Sequence, residues 1–284
     1  MMMPSDFQFS QGSLQDYVDC PRRFELRYVR RQRWPAVETA PFMESERRLR
    51  QGAAFHRLVR QHLMGVPVAM ISECVTDPEL YRWWRNYLEM GLSEGAGRRY
   101  SEVSISTRVG EYGLVARYDL IAVSADGCVV IVDWKTNRKR PRRAWLRDRL
   151  QTRVYPFVMV EAGRGLEGLG DVRADRVVMH YWFANFPSTP ERFEYDRVRR
   201  QADREYVTGL VTEIAERLIR TSRKGLLPAT EDESRCRVCR YRSLCRRGVG
   251  PGDVDEFEGD AAWSLDLDVG LDGELEQVAE REMG

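Results

Sequence analysis

The chain has 284 residues, 43% hydrophobic and 31% charged, with a net charge of +1. That length supports one well-buried core with a satellite lobe. No apolar run approaches the about 18 residues of a membrane span, and the opening MMMPSDFQFSQGS lacks the basic-then-apolar pattern of a secretion signal, so a membrane or exported protein is not expected. A cytoplasmic, reducing setting follows, in which the six cysteines read as ligands or buried thiols rather than disulfides.

The near-zero net charge conceals a segregation. Residues 253–284 carry twelve acids against the single base Arg281, which leaves +12 on residues 1–252. A body this basic suits a polyanionic partner. A plain bias toward arginine would not explain why the acids collect in one tail.

In chain order, residues 10–31 carry an apolar periodicity through Leu14, Tyr17, Val18, Phe24, Leu26 and Tyr28, with Ser10 or Ser13 as cap and Ser13-x-x-Asp16 resembling a capping box. Pro21 predicts a break at Cys20-Pro21 and a second helix beyond it. The apolar positions read as core; only Cys20 needs another role. Residues 34–44, WPAVETAPFME, read as a loop, and 45–64 as a helix. Gly52 costs that helix about 1 kcal/mol against alanine, a cost explained if another part of the chain approaches there. His56 lies one turn on, on the same face. Taken alone it is an ordinary helical histidine, as are His62 and His180 in their own segments. Residues 77–92 form an aromatic helix built for packing, with Arg82 and Arg85 interleaved. Residues 100–109 alternate as the first strand, and Glu102 within it reads as structural rather than as a metal ligand.

The most informative stretch follows. Gly113–Val123 and Cys128–Trp134 are apolar runs separated by the turn-forming Ala125-Asp126-Gly127, which predicts a hairpin. Asp119 lies inside the first run. Asp133 and Lys135 end the second, two apart and therefore on one face, with Trp134 on the other. Carboxylates and an ammonium converging at a strand end suit metal-assisted phosphodiester hydrolysis: oxygen ligands hold a hard divalent cation, and the lysine orients water or offsets developing charge. A D-x-K triplet alone is common in surface turns. Here the chain has 42 arginines and only three lysines, Lys135, Lys139 and Lys224, and one occupies this slot. The diffuse charge of a guanidinium replaces a compact ammonium poorly. An unpaired carboxylate closing an apolar run is also costly unless it binds something. Arg138, Lys139, Arg140, Arg142 and Arg143 come next, either a solvated loop or a clamp for a phosphate backbone.

A helix over about 144–162 carries Gln151 and Tyr155 on one face, with Pro156 a candidate kink. A strand at 176–184 and a more polar strand or loop to 195 precede a long helix over 197–222. Cys236, Cys239 and Cys245 then form a C-x2-C-x5-C cluster that needs a fourth ligand. Cys20 is the candidate, because Cys74 and Cys128 read as buried thiols. By spacing alone, zinc is the commoner occupant.

Gly52-x-x-x-His56, Asp119, Asp133-x-Lys135 and Gln151-x-x-x-Tyr155, with cysteines at both ends of the chain, resemble the RecB-type branch of the PD-(D/E)xK nucleases. In particular they resemble its iron–sulfur exonucleases, the CRISPR-associated RecB-like nucleases and the nuclease domain of AddB-type helicase–nucleases. The string Ser13-Leu14-x-x-Tyr17-x-x-Cys20-Pro21-Arg22-x-Phe24 is similar to their opening. One departure is Tyr118, where the family commonly has proline before the aspartate. The resemblance implies an α/β restriction-endonuclease-like mixed sheet flanked by helices. It implies one domain over 1–252, with an iron–sulfur lobe of about 10–33 and 225–250 closing around a core of 45–224. It further implies Mg²⁺ or Mn²⁺ held by His56, Asp119 and Asp133, catalysis by Asp119, Asp133 and Lys135 with Gln151 and Tyr155 positioning the strand, and a 4Fe–4S cluster on Cys20, Cys236, Cys239 and Cys245. The expected activity is exonucleolytic cleavage of single-stranded DNA in repair or CRISPR adaptation, alongside other proteins of such a complex. Two alternatives remain: a DNA-binding scaffold whose site works only with partners, and an RNA nuclease.

Residues 253–284, with Phe257 and Trp263 embedded in acid, read as a disordered tail. It either serves solubility and partner binding or folds back on the basic body. Fold-back predicts that deleting 253–284 raises DNA affinity, most at low salt; equal affinity at low ionic strength leaves the solubilising role.

Overall fold

A computed structural model describes residues 3–4, 6–32, 40–91, 97–221 and 225–250. The acidic segment 253–284 and most of the loop expected at 34–44 lie outside the described residues.

Strand β1 (Gln8–Ser10) leads into helix α1 (Gln11–Asp19). Ser10 is the cap: its hydroxyl accepts from Ser13 N at 3.1 Å, while Ser13 Oγ accepts from Ser10 N at 2.9 Å. The capping box therefore lies one turn before the expected Ser13-x-x-Asp16. Asp16 is instead buried, with carboxylate oxygens 2.9 Å from both Arg23 and Arg27. The chain breaks at Cys20, which is extended, and resumes in α2 (Pro21–Phe24) with proline at the first position. A π-helical turn, Glu25–Val29, continues it.

Helix α3 (Ala40–Leu63) begins earlier than its periodicity suggests, and is followed by α4 (Val68–Glu73) and α5 (Pro78–Met90). Asp77 caps α5 by accepting from Glu79 N and Leu80 N, both at 2.9 Å. Strands β2 (Gly97–Val109) and β3 (Tyr112–Ser124) pair antiparallel, and β4 (Val129–Lys135) pairs antiparallel with the end of β3. β4 runs parallel to β5 (Val177–Phe183), and β6 (Glu191–Glu194) closes that edge antiparallel to β5. β1 lies parallel to the start of β3, so the N-terminus is part of the sheet.

Between β4 and β5 come α6 (Arg143–Asp148) and α7 (Leu150–Ala162). The single helix expected over 144–162 is broken at Arg149, whose ψ of 144° is extended. Helix α7 then runs through Pro156. Helix α8 (Arg197–Thr221) packs on α7, and the short α9 (Arg242–Cys245) is the last helix among the described residues.

The sheet has a core on each face. On one, Phe9, Ala116, Tyr118, Ile131, Met179 and Tyr181 pack with Leu14 of α1, Val158 of α7 and Ile214 of α8. On the other, Leu120, Val132, Trp134 and Trp182 meet Phe55 and Val59 of α3 and Trp83, Trp84 and Tyr87 of α5. Packing is thus the role of most of the α5 aromatics; Tyr81 is exposed. Trp84 is fully buried, stacked on Tyr87 at 5.4 Å, with its indole N–H donated to Ser72. Trp84→Ala should cost about 3–5 kcal/mol, read as a lowered urea midpoint with little change in slope.

Candidate active site and cysteine cavity

The site begins with an irregularity in the sheet. Along the β2–β3 ladder Ser101 pairs with Leu120 and Val103 with Tyr118, but Glu102 and Asp119 between them do not pair. Tyr118 lies in the α7-side core and Leu120 in the α5-side core, although residues two apart on a regular strand share a face. Both strands therefore change face here, and the two skipped residues are turned out of the ladder. Glu102 has φ +52°, a left-handed conformation that costs a non-glycine residue about 1–3 kcal/mol. Arg117 holds its carboxylate at 2.9 Å.

The result is a group of three possible ligands. Ligand atoms of His56, Glu102 and Asp119 lie within 4.8 Å of one another. The structural role expected for Glu102 is therefore incomplete, because its carboxylate belongs to this group. No periodicity signals this, since an alternating strand cannot show where its facing will invert. Asp119 also accepts from Trp134 N at 2.9 Å, which fixes it to the end of β4. Gly52 lets α3 come close: a Cβ there would sit 3.1 Å from Thr136 Oγ1, just past the β4 end.

Asp133 and Lys135 emerge together, with Trp134 in the opposite core, as the strand period requires. Lys135 Nζ is 2.8 Å from Asp133 Oδ2, and Gln151 Nε2 donates to Asp133 Oδ1 at 2.5 Å. Asp133 is therefore engaged by Lys135 and Gln151, and Glu102 takes its place in the closest ligand trio. Gln151 Oε1 is buried and accepts no hydrogen bond among the described residues, an open acceptor beside the acids. Tyr155, one turn on, packs its ring on Tyr118 at 5.0 Å and accepts the Tyr118 hydroxyl on its backbone carbonyl at 2.9 Å. Tyr118, which stands where the family commonly has proline, is thus a buried strut under α7.

Burial opposes a charge on His56, but Asp119, aided by Asp133 and Glu102, outweighs it and raises the imidazole to about 9. Burial likewise opposes ionisation of Asp119, yet His56, the Trp134 amide and Lys135 hold its carboxyl below the usual range. Three acids are thus balanced by His56, Lys135 and Arg117. One imidazole and several carboxylates form a donor set that suits Mg²⁺ or Mn²⁺, with the nitrogen favouring Mn²⁺.

The basic loop is less open than its charge suggests. Arg140 and Arg143 both hold the buried Glu191 of β6, and Arg138 pairs with Glu79 at 3.2 Å. A phosphate reaching these arginines competes with carboxylates already in place.

A second cavity is lined by Cys20, Cys236, Cys239 and Cys245, together with Arg23, Arg235, Tyr241 and Arg242. Burial pushes the Cys239 thiol up to about 11 and raises Cys236. Cys74 is exposed and Cys128 half-buried, so neither is the buried thiol expected.

Asp119 from β3, Asp133 and Lys135 two apart at the end of β4, and His56 from the flanking α3 are brought together here. Residues 8–246 match the PD-(D/E)XK nuclease superfamily, and the chain belongs to it. No curated protein matches the sequence. Among solved structures, a protein named as a putative exonuclease from Eubacterium rectale is similar over 89% of this chain and 92% of its own, at 10% identity and a TM-score of 0.51. A second, SSO0001, covers 85% and 87% at 12% identity and a TM-score of 0.41. No described helix is long and apolar enough to cross a membrane.

His56 holds its proton up to about pH 9, so a cation that takes the imidazole must displace that proton. Mn²⁺ affinity, measured by calorimetry, should therefore rise with pH and level off near 9. Glu102→Gln should weaken it about tenfold. A flat pH profile would remove His56 from the ligand set.

Proposed function

We propose that the protein is a divalent-metal-dependent DNA nuclease that trims single-stranded ends. The observation that carries this reading is the convergence of His56, Glu102 and Asp119 beside the Asp133–Lys135 pair at one end of β4. Asp119 and His56, with Asp133 and Glu102, would hold the cation. When bound, it supplies Lewis-acid polarisation of the phosphate and a more acidic water. Lys135, 2.8 Å from Asp133, orients the attacking water and offsets charge on the phosphate oxygens. Gln151 fixes one oxygen of Asp133 and leaves its own carbonyl to accept from water. Tyr155 acts by packing, supporting the α7 turn that presents Gln151.

The iron–sulfur branch is supported by the cysteines. Those that the resemblance singles out come from both ends of the chain and line one cavity. A 4Fe–4S cluster there would tie α2 to the C-terminal turns. The placement in DNA repair or CRISPR adaptation rests on the same resemblance.

Incubation of end-labelled single-stranded DNA with Mn²⁺ should give progressive shortening. Asp119→Ala, Asp133→Ala and Lys135→Ala should each abolish it while DNA binding stays within about threefold, because contacts to the phosphate backbone supply affinity. Near-normal cleavage by any of the three, or equal cleavage of RNA, would overturn the assignment. Anaerobically purified protein should be brown with about four irons per chain; stoichiometric zinc without iron would reject the cluster.

A further inference from the structure

Helix α7 starts abruptly at Leu150, because Arg149 is extended and offers no side-chain cap. The first amide of that helix is taken by a residue from far up the chain: Leu150 N donates to Gln15 Oε1 at 3.2 Å, with both groups buried. The other end of the same side chain, Gln15 Nε2, donates to Asp19 Oδ1 at 2.9 Å. Asp19 is 3% exposed and also holds Arg23, at 2.9 Å, and Arg235. Both arginines line the cysteine cavity, and Arg235 adjoins Cys236. At the other end, Gln151 directly follows Leu150 and donates to Asp133. A run of polar contacts, continued along the backbone from Leu150 to Gln151, thus joins the cysteine cavity to the acidic site, and Gln15 is its middle link.

We propose that Gln15 is a positioning residue for the catalytic centre: anchored on Asp19, it sets the first turn of α7 and through it the Gln151–Asp133 contact. The chemistry of the side chain fits the task. The link needs a donor toward Asp19 and an acceptor toward Leu150, and an amide supplies both. Glutamate would keep the acceptor but set a second carboxylate against Asp19. Methionine has similar length and neither function. A helix start left without its acceptor loosens by local opening of the first turn, where orphan N–H groups concentrate. That turn carries Gln151. The inference rests on the nuclease reading for its kinetic consequence, but its structural consequence is independent of it.

The test uses full-length protein with its metal complement. In Gln15→Met, amide exchange at Leu150, Gln151 and Thr152 should speed up while exchange in α8 does not change. Mn²⁺ affinity should fall severalfold, and the metal content of the cysteine cavity should match wild type. Cleavage should show kcat lowered about tenfold with KM for DNA unchanged. In a Gln151→Ala background, Gln15→Met should have no further effect on kcat, while its effect on Tm is the same in both backgrounds. Gln15→Glu should not restore kcat. Unchanged exchange at 150–152, or an equal kcat loss in both backgrounds, would reduce Gln15 to a structural residue and overturn the proposal. Wild-type protein that cleaves nothing would sink the nuclease reading alone, because exchange and Mn²⁺ affinity still decide the role of Gln15.

Discussion

Three carboxylates, Glu102, Asp119 and Asp133, share a small, largely buried volume with three cationic partners, His56, Lys135 and Arg117. Like charges so close repel strongly where water is scarce. The repulsion is met in three ways: a raised proton affinity at His56, ion pairs from Lys135 and Arg117, and hydrogen bonds from Gln151 and the Trp134 amide. A divalent cation would replace the proton and satisfy the same charge. The surrounding fold is arranged to hold that imbalance in place, since each acid is anchored by a separate element.

Those anchors are expensive elsewhere. Glu102 occupies a left-handed conformation in a strand, and both central strands invert their facing around it. The distortion persists because the two cores overdetermine it. Tyr118 is locked beneath α7, and Leu120 is locked among the α5 aromatics. Relaxing Glu102 into a regular strand would move one of these buried side chains to the wrong face, at a cost of several kcal/mol for a residue of that size. Packing on both faces therefore sustains local strain at the point where His56, Glu102 and Asp119 come together.

The N-terminal segment serves the same end from a distance. β1 extends the sheet, and α1 carries Gln15 to the start of α7 and Asp19 to the edge of the cysteine cavity. Arg140 and Arg143 do similar work on the far edge by fastening the loop after Lys135 to β6 through Glu191. Residues that look from their charge like a binding surface thus hold the loop that follows β4.

Much of this was legible in the sequence, because period and punctuation are local. The hairpin of β3 and β4, the shared face of Asp133 and Lys135, the break at Cys20-Pro21 and the packing role of the α5 aromatics all follow from alternation, proline and helical spacing. Gly52 announced a close approach, though not that Thr136 would make it. Tertiary structure decided the rest. At the break at Arg149, the acceptor for Leu150 N is Gln15, 135 residues away. Glu102 comes within reach of His56 and Asp119 only because its strand inverts opposite Asp119. Asp133 turns to Lys135 and Gln151 because α7 is delivered there by the sheet. A one-dimensional pattern records which residue types suit a strand or a helix; which buried group meets which partner is set by long-range packing, which no local period encodes.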